Sequence, residues 1–266
     1  MNNSVRSILK KHQITGAAIA VCRHGSSITE CYGQISAENK LLVNPNTVFE
    51  LASLSKPVFA TSFLNWCADT EFDLDIPLKE VYPLEYDLWN IDSKEPNFSK
   101  ITARMLLNHT SGFNNWDNWC GAEGQGVRNN GAGKFWVEPF SAYSFYSSVA
   151  DMAQFISNAI STAHSMSHSL NRGTPGIPLT EFCSWRPGWG IEHGANFETL
   201  WHWENLGDYQ CFMAISSELQ DGIVILTNSG NAKPAFAELV EHYLGRSMAC
   251  AQVGFIERIV GHKFCP

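Results

Sequence analysis

The feature that most constrains the fold is the placement of strand-like segments near both ends of the chain. Two apolar or β-branched runs, Ala17–Cys22 and Ser27–Gly33, are separated by a short polar segment with Gly25, which is a hairpin pattern. Three further short runs come late in the chain: Trp189–Glu192, Gln210–Ser216 and Gly222–Thr227. This distribution of strand-like segments predicts an antiparallel sheet built from both ends of the chain rather than a repeating βαβ arrangement.

Helical periodicity lies between and beyond these strands, at 2–13, Leu51–Thr70, Val149–Ala163 and Lys233–Leu244. Residues 108–148 are instead rich in Gly, Asn and Trp and predict a long loop. The predicted fold class is mixed α/β (α+β), an antiparallel sheet flanked by helices. We expect a single domain over 1–266, with the sheet region in about 1–48 and 185–266 and the helical and loop region in about 49–184.

Composition and charge exclude several classes of function. A net charge of −8 and the lack of any basic run beyond Lys10-Lys11 argue against a nucleic-acid partner. The apolar run at 16–22 is too short to cross a bilayer, and the N-terminus lacks a secretory pattern, so we expect a cytoplasmic protein without membrane contact. The eight cysteines form no Cys-x-x-Cys pair and are expected to be free thiols, several of them buried.

The strongest chemical signal is the pair Ser53 and Lys56. Residues three apart on a helix lie on one face, at about 5–6 Å between Cβ atoms. A desolvated lysine can be neutral enough to take the proton of a serine hydroxyl, which makes the serine a nucleophile. The spacing alone is weak evidence, because Ser7 and Lys10 share it on what reads as an exposed helix face.

The surrounding sequence distinguishes the pair Ser53 and Lys56 from the pair Ser7 and Lys10. Phe-Glu-Leu-Ala-Ser-Leu-Ser-Lys-Pro at 49–57 and Leu-Leu-Asn-His-Thr-Ser-Gly at 106–112 resemble segments of the class C β-lactamase-like esterases and peptidases, within the serine β-lactamase and penicillin-binding-protein superfamily. Further similar segments follow in the expected order, at 146–152, 188–191 and 223–228. The resemblance covers roughly 15–245 and implies the superfamily's fold, with a reduced helical subdomain, because little sequence separates the second segment from the third.

The resemblance implies site residues as well. Ser53 corresponds to the nucleophile and Lys56 to its base. The family's Tyr-x-Asn motif has only Tyr143-Ser144-Phe145 as a counterpart, so Tyr143 is predicted to share the base role, with a packing role as the alternative. The Trp-rich loop 113–140, which includes Trp116, is expected to form a wall of the substrate site.

The family's third motif, Lys-Thr-Gly or His-x-Gly on a strand, corresponds here to His202-Trp203-Glu204-Asn205. By resemblance His202 takes the cationic position, and the backbone N–H of Asn205 joins that of Ser53 in an oxyanion hole. Glu204 replaces the glycine, so it should crowd the acyl position and oppose anionic substrates. Trp203, Glu204 and Asn205 are predicted to contact substrate, and a surface strand pair of His202 with Glu204 is the alternative.

Three functional hypotheses fit these residues. The first is a serine hydrolase or acyltransferase that forms an acyl-Ser53 intermediate on a small ester, thioester or amide, free or carrier-bound, in a biosynthetic pathway. The second is acid–base chemistry such as a lyase, dehydration or cyclisation reaction that uses Glu204. The third is a non-catalytic binding protein. We expect no cofactor. We also expect no metal, since His164 and His168 have no third ligand nearby. The sequence is compatible with an oligomer as well as with a monomer.

Overall fold

The computed structural model describes residues 3–81, 98–112, 142, 144–170 and 176–263. The chain groups into two compact units, one formed by Met1–Asn65 with Phe140–Pro266 and one by Trp66–Pro139. The predicted single-domain organisation, with its boundaries near 48 and 185, stays a prediction.

The first unit is built on antiparallel strands. Their bounds are β1 Gly16–Arg23, β2 Ser26–Gly33, β3 Val48–Glu50, β4 Tyr146–Ser148, β5 Ile177–Pro178, β6 Cys183–Arg186, β7 Trp189–His193, β8 Glu198–Leu206, β9 Tyr209–Ser216 and β10 Asp221–Thr227. Eight of them form one sheet in the order β2-β1-β10-β9-β8-β7-β6-β5, and β3 pairs with β4 in a separate two-stranded ribbon. The predicted antiparallel sheet is therefore confirmed.

The strands β1 and β2 form the predicted hairpin. Its two turn residues, His24 and Gly25, both have positive φ angles, 49° and 78°. This combination matches the right-handed twist of antiparallel strands, and glycine adopts it at little cost. β1 then pairs on its other edge with β10, so that Ala17 lies opposite Thr227, and strands from the two ends of the chain become neighbours in the sheet.

Helices flank the sheet, as predicted from the sequence. The helices are α1 Asn3–Lys11, α2 Ser55–Thr70, α3 Leu78–Val81, α4 Ala103–Leu107, α5 Val149–Leu170, α6 Lys233–Leu244 and α7 Val253–Lys263. One face of the sheet packs against α1, α6 and α7 through a cluster that includes Val5, Ile19, Ile225, Phe236 and Phe255. The other face packs against α5, which lies over β1 and β10. Both faces of the central strands are thus buried, which explains their nearly continuous apolar runs.

The second unit contains α3, α4 and the last turn of α2. Thr102 caps α4 by accepting a hydrogen bond from the N–H of Met105 at 3.2 Å. Arg104 forms a bidentate ion pair with Asp75, at 2.8 and 3.0 Å. Within the described ranges, no helix of either unit is long and apolar enough to cross a membrane.

The cysteines agree with the expectation of free thiols. Those among the described residues are all free, and each of them except Cys31 is buried. The predicted long loop falls mostly on 113–141 and 143, which lie outside the described residues.

Candidate active site

Ser53 lies on a 3₁₀ turn, Ala52–Leu54, between β3 and the first residue of α2. Ala52 has a φ of 39°, an unusual backbone conformation for a residue with a side chain. Backbone strain of this kind costs about 1–3 kcal/mol and persists only where the surrounding structure holds it. Here the flanking residues Leu51 and Leu54 are buried and anchor the turn, which leaves the Ser53 hydroxyl at the edge of the core.

Lys56, the second residue of α2, contacts Ser53 directly. Its Nζ donates to Ser53 Oγ at 2.7 Å and to the carbonyl oxygen of Ala142 at 3.0 Å. Burial of the ammonium group lowers the pKa of Lys56 from 10.5 to about 8, although the charge of Glu204 acts in the opposite direction. A lysine in this state is within reach of neutrality and adjacent to the hydroxyl whose proton it would accept.

Glu204 projects from β8 to the same turn and is 2% exposed. Its carboxylate accepts a hydrogen bond from the backbone N–H of Ser53. Burial raises the pKa of Glu204 to about 7, while the hydrogen bonds from Ser53 and the charge of Lys56 limit the rise and Glu50 adds to it. The site thus brings a hydroxyl together with an amine and a carboxyl, and the charge of each of these two groups shifts the pKa of the other.

The turn is held by the segment that precedes β4. Phe145 donates its N–H to the hydroxyl oxygen of Ser55 at 3.1 Å, and its carbonyl oxygen accepts the N–H of Leu51 at 2.9 Å. Ser55 is fully buried, so this hydrogen bond satisfies a side chain that has no access to water. These contacts fix the start of α2, and with it Lys56, relative to Ser53.

The predicted third motif is only partly assembled around Ser53. His202 is buried, its Nδ1 lies 2.9 Å from the carbonyl oxygen of Trp203, and its ring packs edge-on against Trp185. Trp203 packs against the core cluster that contains α6, so the structure does not bring its side chain to Ser53. This follows from strand geometry, because successive side chains of β8 point to opposite faces.

The remaining predicted site residues stay predictions. Asn205 lies in β8 opposite Gln210, and the part of its N–H in an oxyanion hole is still the expectation from the family pattern. Tyr143 and Trp116 lie outside the described residues. Among the residues that are described, no group of three or more His, Cys, Asp or Glu side chains could hold a metal ion.

Comparisons with known proteins show similarity in sequence over the first part of the chain and in fold over most of it. Residues 1–126 match the family model described as Beta-lactamase. The esterase EstB of Burkholderia gladioli is 33% identical over 109 residues, which are 41% of this chain and 27% of that protein. The human mitochondrial serine beta-lactamase-like protein LACTB is 28% identical over 105 residues, 38% of this chain and 18% of that protein. The chain therefore spans less than a third of the length of these curated relatives.

Solved structures extend the likeness over most of the chain. A class C beta lactamase from Rhodobacter sphaeroides has a TM-score of 0.66 and 16% identity, covering 91% of this chain and 98% of that one. The beta-lactamase/D-alanine carboxypeptidase from Pseudomonas syringae has a TM-score of 0.68 and 16% identity, covering 92% and 98%. In sequence, residues 1–126 are similar to the β-lactamase family, and the fold of the chain is similar to that of these class C β-lactamase-like structures. The carboxylate of Glu204 at the Ser53 turn is a departure from the glycine of the family's sequence pattern.

A second serine with a neighbouring base lies elsewhere in the sheet and was not predicted. Ser184 Oγ is 2.9 Å from His193 Nε2, and His193 Nδ1 is 3.2 Å from Glu198. Arg186 holds Glu198 through two further hydrogen bonds. The hydroxyl is buried beneath Gly176, where a Cβ would lie 2.7 Å from it, so a substrate has little room to approach. The sequence contains no signal for this cluster, because only the pairing of β6, β7 and β8 assembles it.

Proposed function

We propose that the chain is a serine hydrolase or acyltransferase that forms an acyl-Ser53 intermediate on a small-molecule ester, thioester or amide. The observation that carries the proposal is the 2.7 Å hydrogen bond between Lys56 Nζ and Ser53 Oγ, made by a lysine whose pKa is lowered to about 8. This is the geometry of a nucleophile beside its base. The resemblance to an esterase over 109 residues favours an ester as the acyl donor.

The proposed reaction starts with neutral Lys56. The amine accepts the proton of Ser53 as Oγ forms a bond to the carbonyl carbon of the acyl donor. The tetrahedral oxyanion is held by backbone N–H groups, those of Ser53 and Asn205 by the family pattern. As the bond to the leaving group breaks, the proton passes from Lys56 to that group. Water or another nucleophile then attacks the acyl-Ser53 ester in the same way. Attack by water makes the protein a hydrolase, and attack by another nucleophile makes it an acyltransferase.

Other residues have proposed supporting roles. Tyr143 would share the base role and His202 would supply a positive charge near Lys56, both by resemblance to the family motifs. The substrate is proposed to be a small molecule, free or carrier-bound, used in a biosynthetic pathway in the cytoplasm.

A second candidate is acid–base chemistry without an acyl-enzyme, and Glu204 is the observation that favours it. Its buried carboxyl has a pKa raised to about 7 and lies against the Ser53 turn, so it can either donate or accept a proton near neutral pH. On this second account Glu204→Gly should abolish turnover, whereas retained turnover would argue against it.

The first proposal is tested by covalent labelling with a serine-directed fluorophosphonate. We expect the wild-type protein to gain one adduct and Ser53→Ala to gain none. Ser184→Ala is the matched control, because Ser184 is a serine with its own hydrogen-bonded histidine, and it should label like the wild type. Labelling of Ser53→Ala at the wild-type rate would contradict the proposal, and loss of labelling in Ser184→Ala alone would move the nucleophile to that residue.

A further inference from the structure

The contact between Glu204 and Ser53 occupies a hydrogen-bond donor that acyl chemistry needs. The backbone N–H of an attacking serine is fixed next to the attacked carbon, so it is well placed to hold the carbonyl oxygen of the acyl donor. In the structure this N–H donates to the Glu204 carboxylate. A carbonyl oxygen can therefore use the N–H only after the carboxylate has moved.

The charges around the turn favour cationic over anionic acyl donors. The negative charge of Glu50 acts on Glu204 through space, and so does the opposite charge of Lys56. When Lys56 is neutral and ready to accept the serine proton, only negative charges remain among these three residues. An acyl donor with its own carboxylate would then meet like charges, which is costly in a partly buried site.

Glu204 has a fixed backbone and a movable carboxylate. β8 lies between β7 and β9, and Glu204 is paired with Cys211 across the ladder. The side chain has three rotatable bonds, so its carboxylate can leave the Ser53 N–H without any change in the sheet. The contacts it would leave are to the backbone N–H and the hydroxyl of Ser53, which are both neutral, and a hydrogen bond between two charged groups is stronger. A cation is therefore the natural competitor for the carboxylate.

We propose that Glu204 is a specificity-determining residue that selects acyl donors with a primary ammonium or guanidinium group close to the scissile carbonyl. The cation binds the carboxylate, the carboxylate leaves the Ser53 N–H, and this N–H then binds the carbonyl oxygen. The inference rests on the proposed acyl-Ser53 chemistry and adds the substrate class to it. The bonds are those of that reaction: the bond from Ser53 Oγ to the acyl carbon forms, the ester C–O bond breaks, and the serine proton reaches the leaving alcohol through Lys56.

The experiment uses three nitrophenyl esters that differ in charge: the β-alanine ester, whose amine stays protonated at the pH where Lys56 is neutral, the acetate ester and the hemisuccinate ester. Nitrophenol release and the mass of the Ser53 adduct are measured for the wild type, Glu204→Gln and Glu257→Gln. Glu257 is exposed on α7, so its variant makes the same change in net charge away from the turn. All rates are divided by the uncatalysed hydrolysis rate of the same ester.

In the wild type and in Glu257→Gln, we expect the corrected kcat/KM of the ammonium ester to exceed that of the carboxylate ester by about tenfold or more. In Glu204→Gln this ratio should fall about tenfold, mainly because the carboxylate ester reacts faster. An unchanged ratio in Glu204→Gln would overturn the inference and leave the proposed function standing. If Glu204→Gln is poorly folded, as judged by thermal unfolding, the same comparison is made with Glu204→Gly.

The other outcomes separate the inference from the proposed function. If neither the wild type nor any variant forms a Ser53 adduct with any ester, the proposed function fails and the inference fails with it. If only the Glu204 variants lose all adducts, Glu204 is an acid–base group of the reaction and its selecting role is wrong. Faster formation of the carboxylate-ester adduct in the Glu204 variants than in the wild type would support the inference.

Discussion

At the scale of single residues, the central feature is the contact of Ser53 with Lys56. The sequence predicts both on one helical face, and the structure places Ser53 one turn earlier, on the 3₁₀ turn that precedes α2. The two side chains still meet, at 2.7 Å, because a 3₁₀ turn also brings residues three apart together. In our proposal, the lowered pKa of Lys56 is the physical link between this geometry and the reactivity of Ser53.

The pH dependence of acylation tests that link. Because only the neutral amine accepts the serine proton, acylation by a neutral ester should rise with pH and reach half its maximum near the Lys56 pKa of about 8. Glu204→Gln removes a negative charge that raises this pKa, so the midpoint should move to lower pH. The measurement is kcat/KM for the acetate ester between about pH 6 and pH 10. A midpoint near that of an ordinary lysine, or one that rises in Glu204→Gln, would contradict the assignment.

The sequence predicts the residues of the site better than their contacts. The replacement of glycine by Glu204 predicts crowding at the acyl position. It does not predict the hydrogen bond to the Ser53 N–H, which joins residues 151 positions apart and depends on how β8 faces the turn. The cluster of Ser184, His193 and Glu198 is missed for the same reason, since it depends on strand pairing.

At the scale of elements, prediction succeeds where a single pattern covers the whole segment. The predicted helix Lys233–Leu244 has the bounds of α6, and Gly245 ends it with a φ of 69°. The sequence pattern does not predict the full length of β8. Its aromatic, acidic and hydroxyl residues face packed neighbours on both sides of the sheet, so apolar and polar residues do not alternate along the strand. α7, which packs beside α6, is also not predicted from the pattern.

The β6–β7 turn supports the helix that carries Lys56, and this leads to an element-level prediction. Gly188 has a φ of 79°, and a Cβ there would lie 2.1 Å from the Cβ of Ala60 on α2. Gly188→Ala should lower the free energy of unfolding by more than about 2 kcal/mol, because backbone strain and a clash add together. The displaced helix should also slow labelling of Ser53. Urea unfolding and the fluorophosphonate rate measure the two effects.

The matched control for this turn is Gly25→Ala in the first hairpin. Gly25 has nearly the same φ, 78°, but no atom of the described residues would lie within 4 Å of a Cβ added there. The variant should therefore lose only about 1 kcal/mol from backbone strain and label at the wild-type rate. Equal losses in the two variants would show that Gly188 does not hold α2 in place.

At the scale of the whole molecule, the sheet joins the two ends of the chain through β1 and β10, as the distribution of strand-like segments predicts. The sequence match to the family model covers residues 1–126, whereas the structural likeness covers 91% of the chain. The later strands are therefore recognised by their arrangement more than by their residues. This is why the fold is predictable from the sequence while the substrate, which contacts those later strands in our proposal, is not.

The proposed function depends on Ser53 becoming acylated, and the most direct test is the intact mass of the protein after incubation with activated esters and a β-lactam. We predict a mass increase equal to one acyl group, located by peptide mapping on the peptide that contains Ser53 and absent in Ser53→Ala. An acyl group found on any other residue, or no adduct with any reagent in the wild type and the Glu204 variants alike, would contradict it.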